Sequence, residues 1–325
     1  MQKKVKRLLE VYFSILARIK ERYSFQKNMR TNFSGRYVVR SDHIGHLFLD
    51  TTAYEADRLA KFGEMEPQLH HIFRTFIAAH SIVLDIGANS GFHSLLFSTI
   101  QRNKEKAGGN GGDDRPGGKV YAFEPVPFNY RSLCRNLALQ EDSNVVPVNL
   151  AVSDTSGMAE MFALPEGYYW HGCHSLVKNE KLSGIHSEAV ELLEIQTVSI
   201  DNFLSERDEQ LPVSFMKIDV EGAEAKVLRS AMKTIHRDKP VLVIEFAPSR
   251  VQFLKTPADA FEDLTEIGYR AFAIFKDGSM SKIDSISDYV KMGTVTGDAA
   301  AHRAVGRSKS GEMLLIPAER LELNV

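Results

Sequence analysis

The segment Ile82–Ser98, IVLDIGANSGFHSLLFS, constrains this chain more than any other stretch. It opens with an apolar run of strand length, turns through two glycines, and continues with apolar residues at helical spacing. Only a strand, a tight loop and a helix satisfy all three patterns, and that unit belongs to α/β folds. Gly87 and Gly91 allow backbone torsions and a close ligand approach that a side chain would block. Asp85 at the strand end can accept hydrogen bonds from an amino group. A dinucleotide loop would need G-x-G-x-x-G and a phosphate loop G-K-[ST], and neither is present. The loop therefore suits a cationic ligand without phosphate.

From about residue 80 onward, short β-branched runs alternate with helical segments, the pattern of a mostly parallel sheet covered by helices. The strand candidates are Ser81–Ile86, Lys119–Glu124, Val145–Val152, Ser214–Val220, Pro240–Phe246, Tyr269–Phe275 and Glu312–Pro317. Seven strands predict a Rossmann-like, doubly wound sheet with helices on both faces. This reading divides the chain into an N-terminal extension, 1–79, and a ligand-binding domain, 80–325. Residues 102–119, rich in glycine and charge, are expected as a disordered surface loop away from the strand C-termini, dispensable for catalysis. Residues 157–200 are expected to form an inserted cap over the site, and 293–311 a mobile connection before the last strand.

Composition narrows the partners. Forty basic against 42 acidic side chains leave a formal charge of -2, so no global field draws the protein to nucleic acid. Cys134 and Cys173 are too few for a disulfide framework, which points to a reducing cytoplasm. Residues 1–23 carry Val5, Leu8, Leu9, Tyr12, Phe13, Leu16, Ile19 and Tyr23 at helical spacing among basic residues. This amphipathic helix fits packing on its own domain, a homodimer interface, or peripheral contact with a membrane surface. It matches neither a signal peptide nor a membrane span.

Two further strand ends carry acids. Glu124 closes the second strand in VYAFEP, where a carboxylate can accept hydrogen bonds from both ribose hydroxyls of a nucleoside; it can equally cap the helix that starts near Pro127. The fourth strand ends in KIDVEGAE, which sets Asp219 and Glu221 at the carboxyl edge of the sheet, where open α/β folds bind ligands. Three acids clustered there repel one another without a positive ligand. Glu224 reads as a helix-dipole partner, with Lys217 neutralising a neighbour. Glu245, ending VLVIEF, either joins the acceptor site or pairs with Arg250. His174 is a candidate base or substrate contact on the cap. A zinc site at His171, Cys173 and His174 is disfavoured by the adjacency of its ligands; magnesium at Asp219, Glu221 and Glu245 is conceivable, but the reading assigns no metal.

The strings DIGANSG, FEPVPFNYRSLCRNL, NLAVSD, KIDVEGAEAKVLRSA and VLVIEF, in this order, resemble the FkbM family of methyltransferases from about residue 80 to residue 317. The resemblance implies a class I methyltransferase sheet. It also implies S-adenosylmethionine held by Asp85, Gly87, Asn89, Gly91 and Glu124 with the adjoining Pro125, and by Ser153 and Asp154 beside the adenine. By the same resemblance the reaction is methyl transfer to a hydroxyl oxygen of a sugar, glycan or small natural product, with Asp219, Glu221, Glu245 and His174 as the catalytic candidates. A nicotinamide-dependent oxidoreductase and a non-catalytic nucleotide-binding scaffold are the alternatives.

Overall fold

The computed structural model describes residues 36–41, 44–50, 59, 64–108, 116–164, 174–176, 190–245, 255–293 and 309–321. The basic N-terminal helix, His171, Cys173 and Arg250 lie outside the described residues, as do most of the connection at 293–311 and the cap segments 165–173 and 177–189.

A hairpin of β1 (Arg36–Ser41) and β2 (Gly45–Asp50) precedes α1 (Pro67–Phe76). The alternating part then runs β3 (Ile82–Ile86), α2 (Phe92–Ala107), β4 (Lys119–Phe123), α3 (Pro127–Ala138) and β5 (Val145–Val148). Three strands follow, β6 (Ala151–Val152), β7 (Gly157–Ala163) and β8 (Glu191–Val198), and then α4 (Ile200–Ser205) and β9 (Val213–Ile218). Next come α5 (Glu224–Ser230), α6 (Met232–Asp238), β10 (Val241–Glu245), α7 (Lys255–Glu266), β11 (Tyr269–Phe275) and β12 (Met280–Ile283). The described chain ends with α8 (Ile286–Gly293), β13 (Lys309–Pro317) and α9 (Ala318–Leu321).

The main sheet has eight strands in the order β12-β11-β13-β10-β9-β3-β4-β5. Six of the seven strand candidates and the first part of Val145–Val152 are in it, and β12 is added as a hairpin on β11. The sheet is mixed: β10-β9, β9-β3, β3-β4 and β4-β5 pair in parallel, while β13 runs antiparallel between β10 and β11. Alternate residues feed two cores. Ile82, Leu84, Met216, Ile218, Leu242 and Ile244 pack beneath α4 to α7. Val83, Phe215, Val241 and Val243 pack beneath α1 and α2, whose Phe73 and Phe97 meet Phe215 edge to face. Ile44, Leu47, Leu69, Ile72 and Ile77, from the expected N-terminal extension, belong to that second core.

Two expectations need correction. Val145–Val152 is two strands: β5 ends at Val148, and β6 leaves to pair in parallel with β8 in a three-stranded sheet ordered β6-β8-β7. Pro147 is tolerated because β5 is the outermost strand of the main sheet and a proline lacks only the ladder donor. The expected loop at 102–119 is helical as far as Ala107, and only 109–115 fall outside the described residues. Its lysines read as disorder because charge counts ignore geometry; Lys104 in fact donates to the carbonyls of Thr75 and Ile77, at the helix end where a cation is favoured.

Candidate functional site

Strand ends bring the sequence motifs together at the carboxyl edge of the sheet. A cleft of about 610 Å³ opens there, lined among others by Gly87, Asn89, Glu124, Pro125, His174 and Asp219. Its floor and far wall are apolar, from Phe123, Leu150, Ala151, Val152, Met161 and Leu176.

The glycine loop is shaped by contact rather than by flexibility. Gly87 adopts φ +88°, and a Cβ there would lie 1.8 Å from the backbone oxygen of Asp219. The turn after β3 and the end of β9 can therefore touch only across a glycine. Gly91, also at φ +88°, is the residue before α2 and packs against Leu133.

Glu124 is buried, 4% exposed. Its two carboxylate oxygens accept the backbone N–H of Asn89 (2.8 Å) and of Val126 (2.9 Å). Val126 is the residue before α3, so both readings of Glu124 hold in part: it ties down the helix start and also lines the cleft. The Asn129 side chain donates to the same carboxylate, whose acceptor capacity of about four sites exceeds these three bonds. Burial pushes the Glu124 carboxyl up to about 7, against the hydrogen bonds that favour its ionised form.

Asp85 is fully buried and does not line the cleft. It accepts a 2.5 Å hydrogen bond from Ser94 Oγ, and its second oxygen makes none among the described residues. The same holds for Asn89 Oδ1, which does sit at the cleft. Ser153 and Asp154 also lie off the cleft. Asp154 is paired with Arg229 (3.0 Å), and although partial burial opposes it, that guanidinium holds the carboxyl below its ordinary range. Their neighbours Leu150 to Val152 line the cleft instead. Those residues, with Asn129, Met161 and Leu176, were not singled out from the sequence, where only their adjacency to the motifs marks them.

At the chemical end, Asp219, Glu221 and Glu245 each bring one carboxylate oxygen within 4.8 Å of the others. Asp219 is half-buried, Glu221 buried and Glu245 half-buried. Glu221 takes a left-handed φ of 56°, a conformation that persists only where the surroundings enforce it. Ser175 contributes by donating from Oγ to the Glu221 carbonyl at 2.8 Å. Ser175 also bridges to Phe162 of β7, so the small sheet carries the 174–176 segment to the cleft. His174, packed edge to face on Phe128, accepts the Leu164 N–H at Nδ1 (3.1 Å). A neutral ring held that way carries its proton on Nε2 and presents a donor there, which suits a substrate contact better than a base. Glu224 accepts the Gly222 N–H at 2.8 Å across the turn before α5. Burial pushes its carboxyl up to about 7.

Comparisons with known proteins place these features. The Methyltransferase FkbM domain matches residues 85–271. Methyltransferase sdnD of Sordaria araneosa is 28% identical over 210 residues, which cover 54% of this chain and 73% of that protein. Methyltransferase FkbM from Methylobacillus flagellatus KT aligns in structure with a TM-score of 0.36 and 16% identity, over 65% of this chain and 48% of that one; this chain spans about half its length. The O-methyltransferase from Bacillus cereus in complex with SAH aligns with a TM-score of 0.40 and 11% identity, over 83% of this chain and 91% of that one.

Proposed function

Because the chain belongs to the FkbM methyltransferase family, whose methyl donor is S-adenosylmethionine, we propose that it transfers that methyl group to a hydroxyl oxygen of a sugar, glycan or small natural product. The residues present fit the donor. Glu124 is a carboxylate at the cleft that keeps acceptor capacity for a ribose diol beyond its bonds to Asn89, Val126 and Asn129, and the wall formed by Leu150, Ala151, Val152 and Met161 suits an adenine. Asn89 Oδ1 offers a buried acceptor to an ammonium. When bound, S-adenosylmethionine supplies an electrophilic methyl on a cationic sulfur.

The observation that carries the hydroxyl assignment is the carboxylate cluster of Asp219, Glu221 and Glu245 beside the cleft. Methyl transfer to oxygen is an in-line displacement that needs an aligned acceptor and a destination for its proton. Crowded carboxylates raise one another's proton affinity, which suits a base. Asp219 is the poorest of the three in that role, since Lys217 donates to it at 2.8 Å and an ammonium favours the ionised carboxylate. In this reading Glu221 or Glu245 takes the proton, Asp219 would offset the charge of the bound sulfonium, and His174 donates from Nε2 to the acceptor. A net charge of -2 supports a small-molecule or glycan acceptor over nucleic acid, and the two cysteines support a cytoplasmic setting. Among the described residues no helix is long and apolar enough to cross a membrane.

Comparative mass spectrometry of metabolites and glycans from cells with and without the protein tests the proposal. The expected result is a hydroxyl-bearing compound that lacks one methyl group when the protein is absent. A methyl lost only from nucleic acid, or from a nitrogen, would overturn it.

A further inference from the structure

Lys217 lies in the centre of the main sheet, in a strand buried along its whole length, and is itself 4% exposed. Its ammonium donates to Asp219 Oδ2 at 2.8 Å, and across the ladder Lys217 stands in register with Asp85 on β3. A third acid approaches from Glu66, the residue before α1, which pairs with His93 Nε2 of α2 at 3.2 Å. Among the described residues, Asp219 from its own strand, Asp85 from β3 and Glu66 from the start of α1 are the charged groups that act on Lys217, and His93 of α2 joins them through Glu66. Burial alone would depress the Lys217 ammonium; Asp219, Asp85 and Glu66 reverse that and raise it above the ordinary lysine range. Burial likewise opposes ionisation of Glu66, and His93 and Lys217 outweigh it, holding that carboxyl low.

The proposed function uses Lys217 only to set Asp219 apart from the base, and Glu66 lies outside the residues matched to the family, 85–271. A buried charge of this kind is retained only where its partners are fixed. We propose that Lys217 is a positioning residue that holds Asp219 ionised and aimed into the cleft, with Glu66 and Asp85 as its remaining counter-charges. The proposal rests on the S-adenosylmethionine reading. Without the ammonium, Asp219 would lose a counter-charge at 2.8 Å while Glu221 and Glu245 stay within 4.8 Å, and would take up a proton more readily as pH falls.

The affinity ratio of S-adenosylmethionine to S-adenosylhomocysteine isolates this effect, measured by calorimetry on the full chain. The two ligands share the ribose and the amino acid, so the Glu124 contribution cancels, and they differ in the charge on sulfur. The ratio is expected to stay constant within about twofold from about pH 5.5 to about pH 8.5 in the wild type and in Lys217→Arg, whereas in Lys217→Met it falls about fivefold or more toward the acid end. Asp219→Asn is expected to lower the ratio at every pH. Coincident profiles for wild type and Lys217→Met overturn the proposal. If Lys217→Met does not fold, the wild type and Asp219→Asn still decide: a wild-type ratio that falls steeply with acid, or an unchanged ratio in Asp219→Asn, overturns it. Absence of wild-type binding to either ligand would instead sink the underlying cofactor reading.

Discussion

The affinity for S-adenosylhomocysteine should depend on pH through Glu124. Its carboxyl, pushed up to about 7 by burial, must be ionised for both oxygens to accept ribose hydroxyls. A group with that value is about 3% ionised at about pH 5.5 and almost wholly ionised at about pH 8.5, so the affinity should drop about 30-fold on going to the acid end, about 2 kcal/mol. Below about pH 7 binding should release close to one proton. The same shift sets the sign for stability. The folded free protein keeps this proton longer than the unfolded chain does, so the contribution is full below the unfolded value near 4.5 and is lost as pH rises through about 7. Bound ligand offsets that loss, so its stabilising effect should grow with pH. Calorimetry in two buffers of different ionisation enthalpy reads both affinity and proton release. Glu124→Gln should flatten the profile and weaken binding at about pH 8.5 by about 1.5–3 kcal/mol, the worth of hydrogen bonds to a charged group. An affinity that does not change across this range, with no proton released, would refute the assignment of Glu124.

Gly87→Ala should destabilise the fold by about 2–4 kcal/mol and abolish cofactor binding, because the new Cβ meets the Asp219 carbonyl and the torsion is left-handed; thermal melts and calorimetry check it. Glu245→Gln should leave the fold intact and lower turnover about 10²-fold or more once the acceptor is known, and near-normal turnover would leave Glu221 as the base. Replacing residues 109–115 with a short linker should leave cofactor affinity unchanged, since the α2-β4 connection joins the sheet at the edge opposite the cleft. Deletion of residues 1–25 should abolish sedimentation with anionic vesicles if the basic helix meets a membrane, and unchanged sedimentation would assign that helix to protein packing.

The strands of the main sheet were legible because each is a short apolar run between turn residues, and central parallel strands are buried on both faces. The break at Asn149 and Leu150 was hidden, since NLAVSD continues the apolar run while its backbone turns to a second sheet. The β1-β2 hairpin and β7 are too short and too irregular in their apolar pattern to stand out. Within the site, Gly87, Asn89, Glu124, Pro125 and Asp219 reached the cleft as their motifs implied. Asp85, Ser153 and Asp154 lie off it, because a motif fixes which strand end a residue occupies but not which face its side chain takes. Lys217 did leave a signal: a lone cation inside the apolar strand VSFMKI must have a buried counter-charge. The more distant charge of Glu66 left none, since the electrostatic interaction between residues 66 and 217 is a property of the fold alone.

One ligand defines the role of the cleft. Titrating the full chain with S-adenosylhomocysteine and, separately, with NAD⁺ tests it most directly. One equivalent of the first should bind with a heat that Glu124→Gln diminishes, and the second should give no heat. Binding of NAD⁺ in its place, or silence toward both by well-folded protein, would contradict the assignment of the cleft.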